Sequence, residues 1–427
     1  MSKDNYFVID LETTVNSLSK DKAKCGVASP HYYDNWIVAT GIMTDKCQYP
    51  KLFYKDGFVY NKLLNGLYHD DERDIETWLN SIRDSKIIVG HNIAFDINYI
   101  LNNFDEDKNI KIIKDIIVSE PIIVWDTMLV EHMLSGQQWR YPSLDDVCIH
   151  YGLPIKDKTI KELWDVGVKT EDIDKELLLE YLSHDVVVTK QIFELQRKEV
   201  DKSGMRNIVF DELRARMSTI LMEHNGTPFN ETLAEEIQKD ISKEIEDLRQ
   251  VIIDNLKSIN YNVNFTPDLI DTINISSPQQ VSKMIFGGEI DWFTKEPELD
   301  DTGKVVLYKS GIKKGHTKWK KVTNSTKLIR IANPRGAWKT SKIGIYSTSD
   351  DVLSDLLLES LIWYSKDLIE CIQKFRKLTK ERDTYLTGLL KVCWDGGLLH
   401  PTFNHVETPT GRLSCRNPNI QNITTKK

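Results

Sequence analysis

Cysteine is scarce and scattered: Cys25, Cys47, Cys148, Cys371, Cys393 and Cys415 stand apart, with no C-x-x-C pair among them. That spacing argues against a disulfide framework or a zinc site and fits a reducing cytoplasm. Long apolar runs are missing too. No stretch reaches the roughly 18 consecutive apolar residues that a membrane span needs, so no membrane partner is expected. Asp4, Asp10 and Glu12 interrupt the first apolar run, so no secretion signal is expected there. Acid is absent from two places. Thr302–Ser349 holds 12 Lys or Arg and no Asp or Glu, and no acid follows Glu407.

What is present suits a globular protein of two or three domains. The chain has 427 residues, 40% of them hydrophobic. Its formal net charge of −8 argues at first against nucleic acid. The distribution argues otherwise. Residues 1–200 hold 34 acidic and 23 basic side chains, whereas the remainder is net basic by 3.

Strands and helices alternate in the first segment. Tyr6–Leu11, Trp36–Met43 and Lys86–Val89 read as strands. Ile75–Arg83, Ile93–Phe104 and Glu176–Lys198 read as helices. This mixture predicts an α/β domain over 1–203. Gly204 follows a polar stretch and is the expected boundary. Residues 204–395 are expected to be mainly helical, through Phe210–His224, Glu231–Lys257, Asp350–Ser360 and Trp363–Leu390. Ser277 before Pro278 has the form of a helix start. A basic, β-containing insertion is expected at about 291–346. The Gly-, Pro- and Asn-rich end, 396–427, reads as extended.

Three acidic patterns stand out. Asp10 and Glu12 lie two apart at the end of a strand, so both point to one face, where a cation between them would relieve their repulsion. A solvated strand end has the same look. Gly90–His91–Asn92–Ile93–Ala94–Phe95–Asp96 leaves a strand and opens a helix. Asn92 suits the N-cap, and Asp96, four residues on, shares its face. Tyr181 and Asp185 are likewise four apart on a helix, toward its apolar side, where a buried acid needs a partner or a metal. A core tyrosine beside a surface acid is the alternative. Oxygen-rich sites of this kind suit Mg²⁺ or Mn²⁺. His91 and His184 read as packing or supporting groups, and Asp126 as a structural cap near Thr127.

Taken together, D-x-E, N-x-x-F-D and Y-x-x-x-D in this order resemble the motifs of the DEDDy family of 3′→5′ exonucleases. Trp125–Asp126–Thr127 and Ser143–Leu144–Asp145 add to the resemblance. It implies a ribonuclease H-like fold. It also implies that Asp10, Glu12 and Asp185 bind one metal, while Asp10, with Asp96 through water, serves a second. Tyr181 would orient the attacking water, and Asn92 would support the site or the DNA backbone. Two ions about 4 Å apart can activate water and stabilise the leaving 3′ oxygen together.

Ile275–Val281 with Phe286–Gly287 resembles the thumb of the family A, polymerase-I-like DNA polymerases. Phe375–Leu378, Thr384–Leu386 and Gly388–Leu390 resemble the run into the palm. His400–Asn404, Thr410–Ser414 and Asn417–Ile423 resemble the first palm motif. The resemblance implies that Arg412 reads the minor groove near the primer terminus, with Asn419, Gln421 and Asn422 beside it. Acceptors common to all base pairs suit that sequence-independent task.

The basic insertion interleaves lysines, among them Lys313, Lys314, Lys320 and Lys321, with Tyr308, Trp319, Trp338 and Tyr346. Cations for phosphate and rings for stacking are expected to grip DNA. A solvated hairpin with lysine-protected edges, or a docking place for a processivity factor, are the other readings. The absence of acid after Glu407 leaves no palm carboxylates for nucleotidyl transfer. Synthesis is therefore not expected from this polypeptide alone. Either the chain is truncated, or a second polypeptide supplies palm and fingers, as the apolar Leu413, Ile420 and Ile423 suggest. The expected activity is proofreading on single-stranded 3′ ends and primer–template, in a bacterial or phage-infected cytoplasm and of phage type. A stand-alone exonuclease and a non-catalytic DNA-binding scaffold are the alternatives.

Overall fold

The computed structural model describes residues 5–15, 29–32, 34–57, 59–63, 66–69, 78–79, 82–83, 85–102, 108–119, 122–359, 363–394 and 396–423. Most of the helix expected at Ile75–Arg83 lies outside them. The chain divides into two compact units, residues 1–231 with 389–427, and residues 232–388.

The first unit is built on a mixed sheet of β1 (Tyr6–Thr13), β2 (Ile37–Thr44), β3 (Lys51–Tyr54), β4 (Val59–Leu63), β5 (Gly66–His69), β6 (Ile87–Gly90) and β7 (Ile123–Asp126). Their order is β5-β4-β3-β2-β1-β6-β7. β1 runs antiparallel to β2 and parallel to β6, and β6 runs parallel to β7. Between and after these strands come α1 (Ala94–Leu101), α2 (Lys108–Ser119), α3 (Thr127–Leu134), α4 (Leu144–Tyr151), α5 (Thr159–Asp165), α6 (Lys175–Ser203) and α7 (Arg206–Asn225).

The period of two decides where β1 sends its side chains. Phe7, Ile9 and Leu11 enter one apolar core with Ile93, Ile97 and Ile100 of the α1 segment and Ile113 of α2. Tyr6 and Val8 enter a second core, with Leu178, Leu182 and Val186 of α6. Asp10 and Glu12 continue this second row. α6 can lie close to the sheet because the residue paired with Asp10 on β2 is Gly41. A Cβ there would stand 2.7 Å from Val186 Cγ2 and 3.1 Å from Leu182 Cγ.

The unit boundary differs from the one expected at Gly204. That glycine is only the left-handed C-cap of α6, at φ 73°. α7 follows it and stays in the first unit, with Val209 and Leu213 in one core and Ile220 in the other. Residues 389–427 belong to the same unit, with α13 (Thr387–Val392) leading into them. Their short strands are β11 (Leu398–Leu399), paired with β8 (Thr227–Pro228), and β12 (Thr402–Asn404), paired with β13 (Ser414–Arg416). Ile420 packs with Leu389, Cys393 and Leu399, so its apolar surface has partners within its own chain.

The second unit is mainly helical: α8 (Glu231–Ile259), α9 (Pro267–Thr272), α10 (Pro278–Phe286), α11 (Asp350–Leu357) and α12 (Trp363–Lys380). α8 buries Ile241, Ile245, Ile252, Leu256 and Ile259 along one stripe. Ser277 caps α10 through the Gln280 N–H, with Pro278 in the first turn, as its sequence predicts. β9 (Gly288–Pro297) and β10 (Trp319–Leu328) form an antiparallel hairpin. Among the described residues, no helix is long and apolar enough to cross a membrane.

Candidate metal centre

Asp10, Glu12 and Asp185 meet where β1 passes beneath α6. Each offers a carboxylate oxygen, and these oxygens lie within 4.8 Å of one another. Glu12 and Asp185 are buried. Burial, followed by the charge of Asp185, raises the Asp10 carboxyl well above its usual range. Burial and then Asp10 do the same to Glu12. Three converging acids in such a place need protons or a cation.

Asp96, the fourth acid of the set, is buried but outside this convergence. Its Oδ1 accepts the Leu11 N–H at 3.0 Å, which ties α1 to the edge of the cluster. Burial and then Asp10 raise its carboxyl, so it shares the cluster's field. Tyr181, one turn before Asp185, packs edge-on against Trp164. Burial and then the Asp185 charge hold its hydroxyl protonated above the ordinary phenol range.

Lys156, not foreseen from the sequence, completes the centre. Its Nζ donates to Asp185 Oδ2 at 2.9 Å and lies 4.4 Å from the centre of the Tyr181 ring. The other carboxylate oxygen, Asp185 Oδ1, is buried without a hydrogen-bond partner. His184 Nδ1 approaches it at 3.5 Å. A hard cation such as Mg²⁺ or Mn²⁺ fits this all-oxygen set and its orphaned acceptor.

Asn92 does not cap α1. It takes a left-handed φ of 55°, and the N-cap position falls to Ile93 without a side-chain bond. Asn92 instead donates its N–H to Asp126 Oδ1 at 2.9 Å. Asp126 is structural, as expected: the same Oδ1 accepts the Met128 N–H and caps α3. Its Oδ2 receives Arg216 Nε at 3.2 Å, and Arg216 also donates to the Phe403 carbonyl at 3.1 Å. Glu223 makes a parallel link, accepting Asn98 Nδ2 and the Phe403 N–H, both at 2.7 Å. Arg216 and Glu223, both on α7, therefore tie β12 to the β7 and α1 segments. His91 is a supporting group, with Nε2 facing the Pro142 carbonyl at 3.0 Å and Nδ1 facing the Thr127 hydroxyl at 2.9 Å. Ser143 and Asp146 form a capping box on α4.

The other expected contact residues are scattered over exposed surface. Arg412, Asn419, Gln421 and Asn422 are exposed in the segment around β13, and Asn419 Oδ1 accepts the Gln421 N–H. Lys313, Lys314, Lys320 and Lys321 are exposed on the hairpin of the second unit, where Lys321 Nζ sits 3.4 Å from the centre of the Phe293 ring. Two of the expected stacking rings are not available. Trp338 and Tyr346 pack against Phe286 in the second unit's core. The basic strand is also partly balanced, since Lys320 faces Glu296 and Lys327 faces Glu289 across the hairpin.

Residues 323–427 match the family model for DNA polymerase family A. DNA polymerase I of Lactococcus lactis subsp. cremoris (strain MG1363) is 24% identical over 385 residues, 90% of this chain and 36% of that protein. DNA polymerase I of Bacillus caldotenax is 46% identical over 86 residues, 20% of this chain and 9% of that one. The C-terminal quarter of the chain, residues 323–427, is thus similar to the family A DNA polymerases. The chain spans about a third of the length of the Lactococcus relative, whose match covers 36%. A solved structure of similar fold is the POL domain of Pol1 from M. smegmatis, in complex with DNA primer-template and dNTP. It superposes with a TM-score of 0.57 at 16% identity, covering 99% of this chain and 53% of that one.

Proposed function

We propose that the first unit is the 3′→5′ proofreading exonuclease of a family A DNA polymerase, hydrolysing 3′-terminal nucleotides of DNA. The observation that carries this reading is the convergence of Asp10, Glu12 and Asp185, with Asp185 Oδ1 buried and unpartnered. The mixed sheet, with β1 between antiparallel β2 and parallel β6, supports a ribonuclease H-like fold for that activity. Mg²⁺ or Mn²⁺ held by Asp10, Glu12 and Asp185, with Asp96 serving a second ion, would supply charge to the phosphodiester and a water that ionises readily. Tyr181, protonated and packed against Trp164, would orient that water through its hydroxyl. Asp96 holds α1 against β1 through the Leu11 N–H. Asn92 supports the site or the DNA backbone.

Arg412, Asn419, Gln421 and Asn422 contact the primer end in the same reading. The exposed lysines of the hairpin, with Lys313 and Lys314 in the turn away from the paired acids, hold the duplex phosphates. Nucleotide addition is proposed for the whole polymerase, and a partner polypeptide or processivity factor belongs to that wider assembly.

The test uses 5′-labelled single-stranded DNA, RNA and primer–template, with Mg²⁺ or Mn²⁺, with and without dNTPs. Shortening from the 3′ end of DNA, abolished in Asp10→Ala/Glu12→Ala, is expected. Equal degradation of RNA would favour a stand-alone nuclease. Tight DNA binding without any shortening, under either metal, would favour a scaffold and refute the proposal.

A further inference from the structure

Lys156 reaches the centre from the loop between α4 and α5. The loop is anchored at both ends, by the Leu153 N–H on the Cys148 carbonyl and by Asp157 Oδ1 accepting the Thr159 N–H. The ammonium is thus delivered to a fixed place. It bonds one oxygen of Asp185 and leaves the other without a partner. Its charge also acts on Asp10 and Glu12, opposing the rise that burial imposes on them. A single positive charge cannot balance three converging carboxylates, so the amine half-fills the electrostatic role that a divalent ion would fill.

We infer that Lys156 is the resident counter-cation of this centre: it holds Asp185 and the Tyr181 ring in place when no metal is bound, and it competes with the metal for Asp185. The inference rests on the metal-dependent exonuclease reading. It makes Lys156 a positioning residue with a signature that an ordinary structural ion pair lacks. Removing the charge weakens the metal-free protein and strengthens metal binding together, because a neighbouring cation disfavours a second one.

The experiment compares the full chain with Lys156→Met, Lys156→Arg and Asp10→Ala/Glu12→Ala. Mn²⁺ affinity is read from the free-ion electron paramagnetic resonance signal, and thermal midpoints are taken in EDTA and in saturating Mn²⁺. Lys156→Met is expected to bind Mn²⁺ more tightly, by on the order of tenfold. It should lose midpoint in EDTA and regain it with Mn²⁺, while Lys156→Arg stays near the parent in both. Its kcat on single-stranded DNA should fall with KM unchanged, since Tyr181 loses the cation over its ring. Equal or weaker Mn²⁺ binding by Lys156→Met, or an equal midpoint loss in both conditions, overturns the inference. A Lys156→Met chain that folds only with Mn²⁺ supports it, and one that folds in neither condition overturns it. If the parent chain binds no Mn²⁺, the carboxylate–metal reading itself fails, and the inference fails with it. Failure of the inference alone appears instead as parent binding that Asp10→Ala/Glu12→Ala removes and Lys156→Met leaves unchanged.

Discussion

Replacing Arg216 by Met tests whether the first unit depends on its buried ion pair. Arg216 and Asp126 have side chains only 5% and 0% exposed. The guanidinium satisfies Asp126 Oδ2 and the Phe403 carbonyl. Methionine keeps much of the aliphatic volume but leaves Asp126 charged and buried, with only the N–H groups of Asn92 and Met128 at Oδ1. Breaking a buried pair from one side typically costs about 3–5 kcal/mol. At about 2–4 °C per kcal/mol for a domain of this size, the midpoint should fall by on the order of 10 °C. Differential scanning calorimetry of the parent, Arg216→Met and Arg216→Met/Asp126→Asn reads this directly. The double variant should recover at least half the loss, because the amide no longer carries an unpaired charge while its oxygen still caps α3. A loss below about 1 kcal/mol in Arg216→Met, or a double variant no more stable than the single one, would refute the reasoning.

Three further outcomes are expected. Gly41→Ala should cost about 1–3 kcal/mol by overpacking and weaken Mn²⁺ binding, since its Cβ would press on Val186, one residue after Asp185; unchanged binding in a calorimetric titration would separate the close approach from the metal site. Asp10, whose carboxyl is pushed up from 3.8 to about 8 by burial and Asp185, contributes metal-free stability that is full below the lower value and lost as pH rises through the upper one. Midpoints in EDTA should therefore fall across that window and be restored by Mg²⁺ at its alkaline end, and a flat profile would count against the cluster. Lys313→Gln/Lys314→Gln should weaken primer–template binding and reduce the salt slope by about 2, one for each phosphate no longer neutralised; an unchanged slope in fluorescence anisotropy would leave the hairpin to another partner.

Local regularities made part of this molecule legible in its sequence. A strand's alternation puts Asp10 and Glu12 on one face, and a helix's period brings Tyr181 and Asp185 together. Ser277 and Asp126 announce helix starts because short polar side chains compete for free N–H groups at those ends. Asn92 has the same chemistry but uses its tolerance of left-handed backbone instead, at φ 55°. What escaped depends on pieces distant in sequence. Lys156 lies in a lysine-containing loop that composition assigns to solvent, and only the packing of α6 brings Asp185 to it. Gly41 looks like any strand glycine until α6 covers it. Trp338 and Tyr346 looked like stacking rings among lysines, but the apolar core around Phe286 takes them first. Gly204 looked like a domain boundary because a helix end and a domain end share the same residue preferences.

The buried acids can lower their energy in three ways: by holding protons, by pairing with an amine, or by binding a metal ion. Asp10 and Glu12, with raised carboxyls, lean on the first, and Asp185 uses the second through Lys156. Neither route satisfies Asp185 Oδ1. A proton on that oxygen would weaken the bond to the ammonium, and a second lysine would have to be desolvated beside the first. A divalent ion can satisfy it while discharging Asp10 and Glu12 together, which is why the orphaned oxygen, more than the acids themselves, argues for a metal. The same reasoning explains the placement of the lysine. An amine strong enough to neutralise the whole cluster would exclude the ion, and no cation at all would leave the metal-free fold carrying repelling carboxylates, so one ammonium on one oxygen is the arrangement compatible with both states.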